Sequence, residues 1–259
     1  WTGETGASFK NLASTEGKTV TFTAVWNVAT ANFQTTGDTG IASTSHPNKT
    51  SENIGSSINV NAKLNNGYTF AGWYNGSTLV SDKMNFNYTM PNTDTVLTAK
   101  TTPAKYTISY DLNGGAVAVS NPTSYNIETP TFTLNNPVRL GYVFVGWTGS
   151  NGTTTPQKNV SIYKGSTGNR TYKANWTANT GTKYTVEHYK MNLDGTTYTL
   201  ADTDNFKGTT DTSVTPAVKT YEGFTSPSTQ TVTIKGDGTT VVKYYYTRNK
   251  YTLDLNGLI

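Results

Sequence analysis

A chain of 259 residues that is 34% hydrophobic and only 14% charged has the length for several small cores but lacks the apolar content of one large core. Its net charge of +4 is spread along the chain, without the clustered Lys and Arg of a phosphate-binding face, which argues against nucleic acid as a partner. Cysteine is absent, which removes disulfides, zinc thiolates and thiol nucleophiles together.

No window approaches 18 uninterrupted apolar residues, so no membrane span is expected. The opening "WTGETGASFK" has no basic segment, no apolar run and no initiator Met, as expected of a piece of a longer chain or a processed form. Few charges with much Thr, Asn and Gly suit an extracellular location. Glycine (24) and tyrosine (17), with many β-branched residues between turn residues, predict short strands, a mainly β chain.

Taken in order, residues 1–26 end in "TFTAVW" and copy the second half of a unit seen later, so they read as the C-terminal half of a truncated repeat. Residues 33–101 form a second copy through "GYTFAGWY" (67–74), with Thr101 in the place of a closing Trp. Residues 106–176 form the fullest copy: "YTISYDLNGG", then "GYVFVGWT" (141–148), then "NRTYKANW" ending at Trp176. Residues 184–247 follow another plan, in which Tyr184, Val186 and His188 alternate with Thr185, Glu187 and Tyr189. Two Asp-Gly pairs there, Asp194-Gly195 and Asp237-Gly238, are hairpin signals. "YTLDLNG" at 251–257 repeats an opening strand, so 251–259 read as the start of a further truncated repeat.

Short polar joints at 27–32, 101–105, 177–183 and 248–250 separate these units. Joints of that length are poor tethers, so the modules are expected end to end as an elongated rod. No sustained helical periodicity occurs. "SSINVNAKL" and "DTSVTPAVK" are readable as one or two helical turns or equally as strands.

The repeated Gly-Tyr-x-Phe-x-Gly-Trp poses a packing problem. In a regular strand Tyr68, Phe70 and Gly72 share one face while Ala71 and Trp73 take the other. A bulge at the glycines would swing the Trp back over the core. The alternative is that Trp73 and Trp147 are exposed sugar-stacking platforms. Recurrence at matching positions favours the core, because every copy must build one and not every copy must bind a ligand.

Chemistry is sparse. His46 and His188 are the only histidines and lie far apart, which disfavours a metal centre, and a lone strand His reads as a packing or surface residue before a catalytic base. Asp194, Asp202, Asp204 and Asp211 form the densest carboxylate group, read as a solvated acidic loop rather than a calcium site. Neither a phosphate-binding Gly loop nor a Gly-x-Ser-x-Gly elbow is present, so no catalytic residue, metal or cofactor is assigned. Lys and Asn on neighbouring strands with a carboxylate beside them can close an isopeptide bond, an adjacency only a structure reveals. In "KYYYT", Tyr244 and Tyr246 share one face and Tyr245 the other, making Tyr244, Tyr245 and Tyr246 the binding candidates.

"YTISYDLNGG", "GYVFVGWT" and "YKANW" over 106–176 resemble the internalin B-repeat family, also called the Listeria–Bacteroides repeat, and 33–101 resemble its divergent form. Residues 184–247 resemble a MucBP-type module through "YTVEHYKMNLDG", "YEGF" and "TVVKYYYT". The resemblance implies β-grasp-like units strung along the stalk of a bacterial surface protein, without catalytic residues. The expected function is therefore a non-enzymatic, cell-surface or secreted adhesin stalk or spacer. Alternatives are a module that binds a host glycoprotein or glycan, or a subunit that exchanges strands with neighbouring chains in an extracellular filament.

Overall fold

The computed structural model describes residues 28–150, 152 and 154–253, together with residue 17. The half-repeat expected over 1–26 falls outside these except for residue 17. So does the tail from 254, while Tyr251, Thr252 and Leu253 carry no strand. Among the described residues every regular element is a strand. They divide into two compact units between Ala104 and Lys105, inside the joint predicted at 101–105.

The first unit contains β1 (Thr30–Gly37), β2 (Ile41–Thr44), β3 (Thr50–Asn53), β4 (Ser57–Val60), β5 (Ala62–Leu64), β6 (Tyr68–Asn75), β7 (Thr78–Ser81), β8 (Phe86–Thr89) and β9 (Thr95–Pro103). Its main sheet has the order β3-β1-β9-β6-β7, and β1 and β9 run parallel at its centre from Phe33↔Thr95 to Gly37↔Ala99. Period-two alternation turns Ala31, Phe33 and Thr35 of β1 and Thr95, Leu97 and Ala99 of β9 inward. The β4–β8 ribbon adds Ile58 and Val60 to the same core, around Trp73. The "SSINVNAKL" segment is thus two strands.

The second unit holds two further modules. One consists of β10 (Tyr106–Asp111), β11 (Ser124–Tyr125), β12 (Phe132–Thr133), β13 (Tyr142–Gly149), β14 (Ser161–Ile162) and β15 (Arg170–Ala178). The other consists of β16 (Thr182–Met191), β17 (Tyr198–Gly208), β18 (Ser213–Val214), β19 (Phe224–Thr225), β20 (Val232–Thr233) and β21 (Thr240–Arg248). Their main sheets run β11-β10-β15-β13 and β17-β16-β21-β19, with β10 parallel to β15 and β16 parallel to β21.

All three modules therefore repeat one mixed, β-grasp-like plan. The first and last strands are parallel neighbours at the centre, flanked by antiparallel strands. A two-stranded antiparallel ribbon, β4–β8, β12–β14 or β18–β20, occupies the long connections in each. Residues 184–247, whose sequence follows a different plan, share this topology with the two B-repeat-like modules.

The aromatic motif resolves as a bulge. The ladder of β6 with β9 passes from Phe70↔Thr101 to Gly72↔Lys100, leaving Ala71 unpaired, and that of β13 with β15 skips Val145 in the same way. Gly72 (φ 140°) and Gly146 (φ 148°) supply the backbone that this needs. The extra residue brings the Trp to the side of the preceding Phe. Ring centroids are 6.1 Å apart for Phe70–Trp73 and 5.6 Å for Phe144–Trp147. Trp73 and Trp147 are both fully buried, so neither is a sugar platform.

Of the two predicted hairpins, the first forms: β16 and β17 pair across a turn in which Gly195 has φ 72°. The second does not. Asp237-Gly238 makes a tight turn, with Gly238 N–H donating to the Lys235 carbonyl, but β20 pairs with β18 and β21 with β16 and β19.

Candidate functional site

The densest polar constellation lies in the third module. Parallel pairing of β16 with β21 sets His188 opposite Tyr244 and next to Tyr246, while β17 brings Asp202 and Asp204 alongside. His188 is fully buried, its Nδ1 2.8 Å from the Tyr246 hydroxyl and its Nε2 3.2 Å from Asp204 Oδ2. The Tyr246 oxygen also accepts the Lys219 backbone N–H at 2.7 Å. The Asp204 carboxylate can only accept, so Nε2–H is the donor to it, and in the neutral ring Nδ1 then accepts the Tyr246 proton. Lys219 Nζ closes the network, 2.9 Å from Asp204 and 3.7 Å from Asp202, and the Tyr221 hydroxyl donates to Asp202.

These contacts set the charges. The Lys219 hydrogen bond holds Asp204 below the ordinary carboxylate range, and the Tyr221 hydroxyl does the same for Asp202. Asp204 raises Lys219 in return, and burial raises the phenols of Tyr221 and Tyr246. The Tyr–His–Asp order resembles a proton relay, yet both imidazole nitrogens are engaged and Tyr246 has no exposed surface. A general base needs reach to its substrate, and this one has none. The arrangement is a satisfied network, buried at His188 and Tyr246 and reaching solvent at Asp202, Asp204 and Lys219.

The four carboxylates expected in a solvated loop have separate positions. Asp202 and Asp204 lie on strand β17, Asp194 caps its own hairpin turn through Thr196 and Thr197, and Asp211 receives the Tyr142 hydroxyl. Among the described residues no group of three or more His, Asp or Glu is placed to hold a metal ion.

The three tyrosines predicted for binding also separate. Tyr244 and Tyr246 are fully buried, with the Tyr244 hydroxyl donating to the Pro216 carbonyl at 2.6 Å. Tyr245 alone is exposed, at 44%. Its ring stacks on Tyr189 at 5.1 Å, with Tyr198 edge-on at 5.0 Å, and Glu187 bonds both the Tyr189 hydroxyl and Lys243. Cross-strand packing thus holds this cluster in place.

Among the described residues, a Lys and an Asn side chain both reach one carboxylate in the first unit. Asn32 Nδ2 donates to Asp94 Oδ2 at 2.8 Å, and Lys49 Nζ lies 3.5 Å from the same oxygen. An isopeptide bond would require a neutral amine beside a protonated carboxyl. Here the side chains of Lys49 and Asp94 are 60% and 59% exposed, and the Asn32 N–H and amide hold Asp94 below its usual range. The geometry describes a solvated ion pair.

A recurrent feature escaped the sequence reading. Gly67, Gly141 and Gly223 each precede an aromatic residue and each have positive φ (86°, 76° and 79°). Each carbonyl accepts the N–H of a residue just after the module's last strand: Ala104 at 2.9 Å, Asn179 at 2.8 Å and Asn249 at 2.9 Å. The Gly-aromatic turn therefore clamps the outgoing chain in all three modules. The signal was present as Gly67-Tyr68, Gly141-Tyr142 and Gly223-Phe224.

Residues 106–175 match the family model of the Listeria-Bacteroides repeat domain, and residues 30–105 that of the divergent InlB B-repeat domain. No curated protein matches the chain. Among solved structures, a similar chain is the Bacillus anthracis TIE protein, at 10% identity and a TM-score of 0.36, with 86% of this chain and 51% of that chain covered. The present chain thus spans about half the length of that protein. Two of its modules are accordingly repeat domains of known families: a divergent InlB B-repeat over 30–105, followed directly by a Listeria–Bacteroides repeat over 106–175.

Proposed function

We propose that this chain is a non-enzymatic tandem-repeat segment of a bacterial cell-surface or secreted protein, acting as the stalk or spacer of an adhesin. Repeat domains of these two families are typical of bacterial surface proteins. The third module, over 184–247, extends the same series, since its sheet repeats their strand order. The observation that carries the reading is how the chemistry-bearing side chains are used. Trp73, Trp147, His188, Tyr244 and Tyr246 are all fully buried in module cores. A segment of this kind supplies separation and solubility.

The exposed Tyr245, packed against the half-buried Tyr189 and Tyr198, favours a second reading, in which the third module binds a host glycoprotein or glycan. Surface plasmon resonance of the immobilised chain against mucin-type glycoproteins, with a glycan array in parallel, separates the two. The spacer reading predicts no saturable response. Saturable binding that is abolished by Tyr245→Ala would overturn it.

A further inference from the structure

The second and third modules meet through backbone at a glycine on each side. A Cβ added at Gly141 would lie 2.3 Å from Gly236 Cα, and one added at Gly236 would lie 2.5 Å from the Leu140 carbonyl oxygen. Both distances are below any real contact, so the two backbone segments touch where neither has a side chain. The linker between them is held from both ends. Asn179 donates its N–H to Gly141 and accepts the Thr210 N–H at 3.0 Å, while its side-chain oxygen takes the Gly181 N–H at 2.9 Å.

Side chains lock the same place. The Tyr142 hydroxyl donates to Asp211, and the Arg139 guanidinium sits 3.7 Å from the Tyr142 ring centroid while bonding the Asn113 carbonyl at 3.1 Å. Asp211 has left-handed backbone (φ 63°), and its N–H donates to the carbonyl of Ile234, a fully buried core residue of the third module. Contacts from β13, the linker and the 209–212 turn thus converge on one point.

We propose that the Gly141-Tyr142 turn is a docking element that seats the third module in one fixed orientation on the second, with the 209–212 turn and Gly236 as its socket. Backbone packed on backbone leaves no rotamer that could accommodate a swing, so the joint is rigid rather than merely short. This goes beyond the spacer reading and is independent of it, because a ligand-bearing module would be oriented by the same joint.

Gly236→Ala tests the proposal selectively. Gly236 does not have left-handed backbone, and all three nearest atoms to the added methyl belong to Leu140 and Gly141 of the other module. Residual dipolar couplings would be measured on the full chain. A single alignment tensor is expected to fit 106–178 and 182–248 in the unaltered protein, and two different tensors in Gly236→Ala with the shifts of both cores unchanged. Amide exchange in the unaltered chain gives an independent reading, with Asn179 and Thr210 expected to be protected together. Two tensors in the unaltered protein, one tensor retained in Gly236→Ala, or rapid exchange at Asn179 would each overturn the proposal.

Discussion

At the scale of single residues, the features that distinguish the two B-repeats are coupled by contact. In the second module Trp176 lies over Gly115, where an added Cβ would come within 2.4 Å of its ring, and its indole N–H reaches the Leu112 carbonyl at 3.1 Å. The "DLNGG" turn and the closing Trp therefore need each other. In the divergent module Thr101 replaces the Trp, and Asp38 takes both its N–H and its hydroxyl at 2.7 Å beside Gly40. Both family marks are missing there together because they form one contact. Gly115→Ala should destabilise the second module, and Trp176→Thr should relieve part of that cost. A double-mutant cycle by urea denaturation should return a coupling of about 0.5–3 kcal/mol; additive effects would refute the contact's role.

At the scale of strands, alternation was legible and pairing was not. The inward residues of β16 follow from the Tyr184–Val186–His188 pattern, and the glycine bulge follows from the misplaced Trp. The parallel partner, β21, begins some fifty residues further on, and no local pattern encodes that register. For the same reason Asp237-Gly238 passed for a hairpin, and Asp202 and Asp204 for a loop. Their placement makes acid sensitivity a property of the third module. Asp202 and Asp204 titrate below their unfolded values, and Asp194, held by the Thr197 hydroxyl and the N–H groups of Thr196 and Thr197, is lowered to about 2. Their stabilisation is complete above the unfolded Asp value near ~4 and is lost as pH falls through the folded values. The urea midpoint read on β16 amides should drop between roughly pH 4 and pH 2, and the drop should shrink in the Asp202→Asn, Asp204→Asn double variant. An unchanged slope would contradict the assigned network.

At the scale of the whole molecule, composition already pointed to several thin cores, and the structure distributes burial accordingly. Separate clusters centre on Trp73, on Trp147 and on the Tyr184–Val186–Tyr244–Tyr246 face. The module series and the family of 106–176 were readable because aromatic and glycine positions recur. The β-grasp-like plan of the third module was readable through resemblance and not through these motifs, since its core replaces the Gly-bulge-Trp device with a tyrosine and histidine face while keeping the strand order. Among the described residues no helix is long and apolar enough to cross a membrane. All three modules repeat one sheet with parallel first and last strands. Residue-resolved amide exchange on the full chain tests it most directly. The slowest amides are predicted in three groups, at β1 with β9, β10 with β15, and β16 with β21; fast exchange along β21, or protection confined to local hairpins such as β16 with β17, would contradict it.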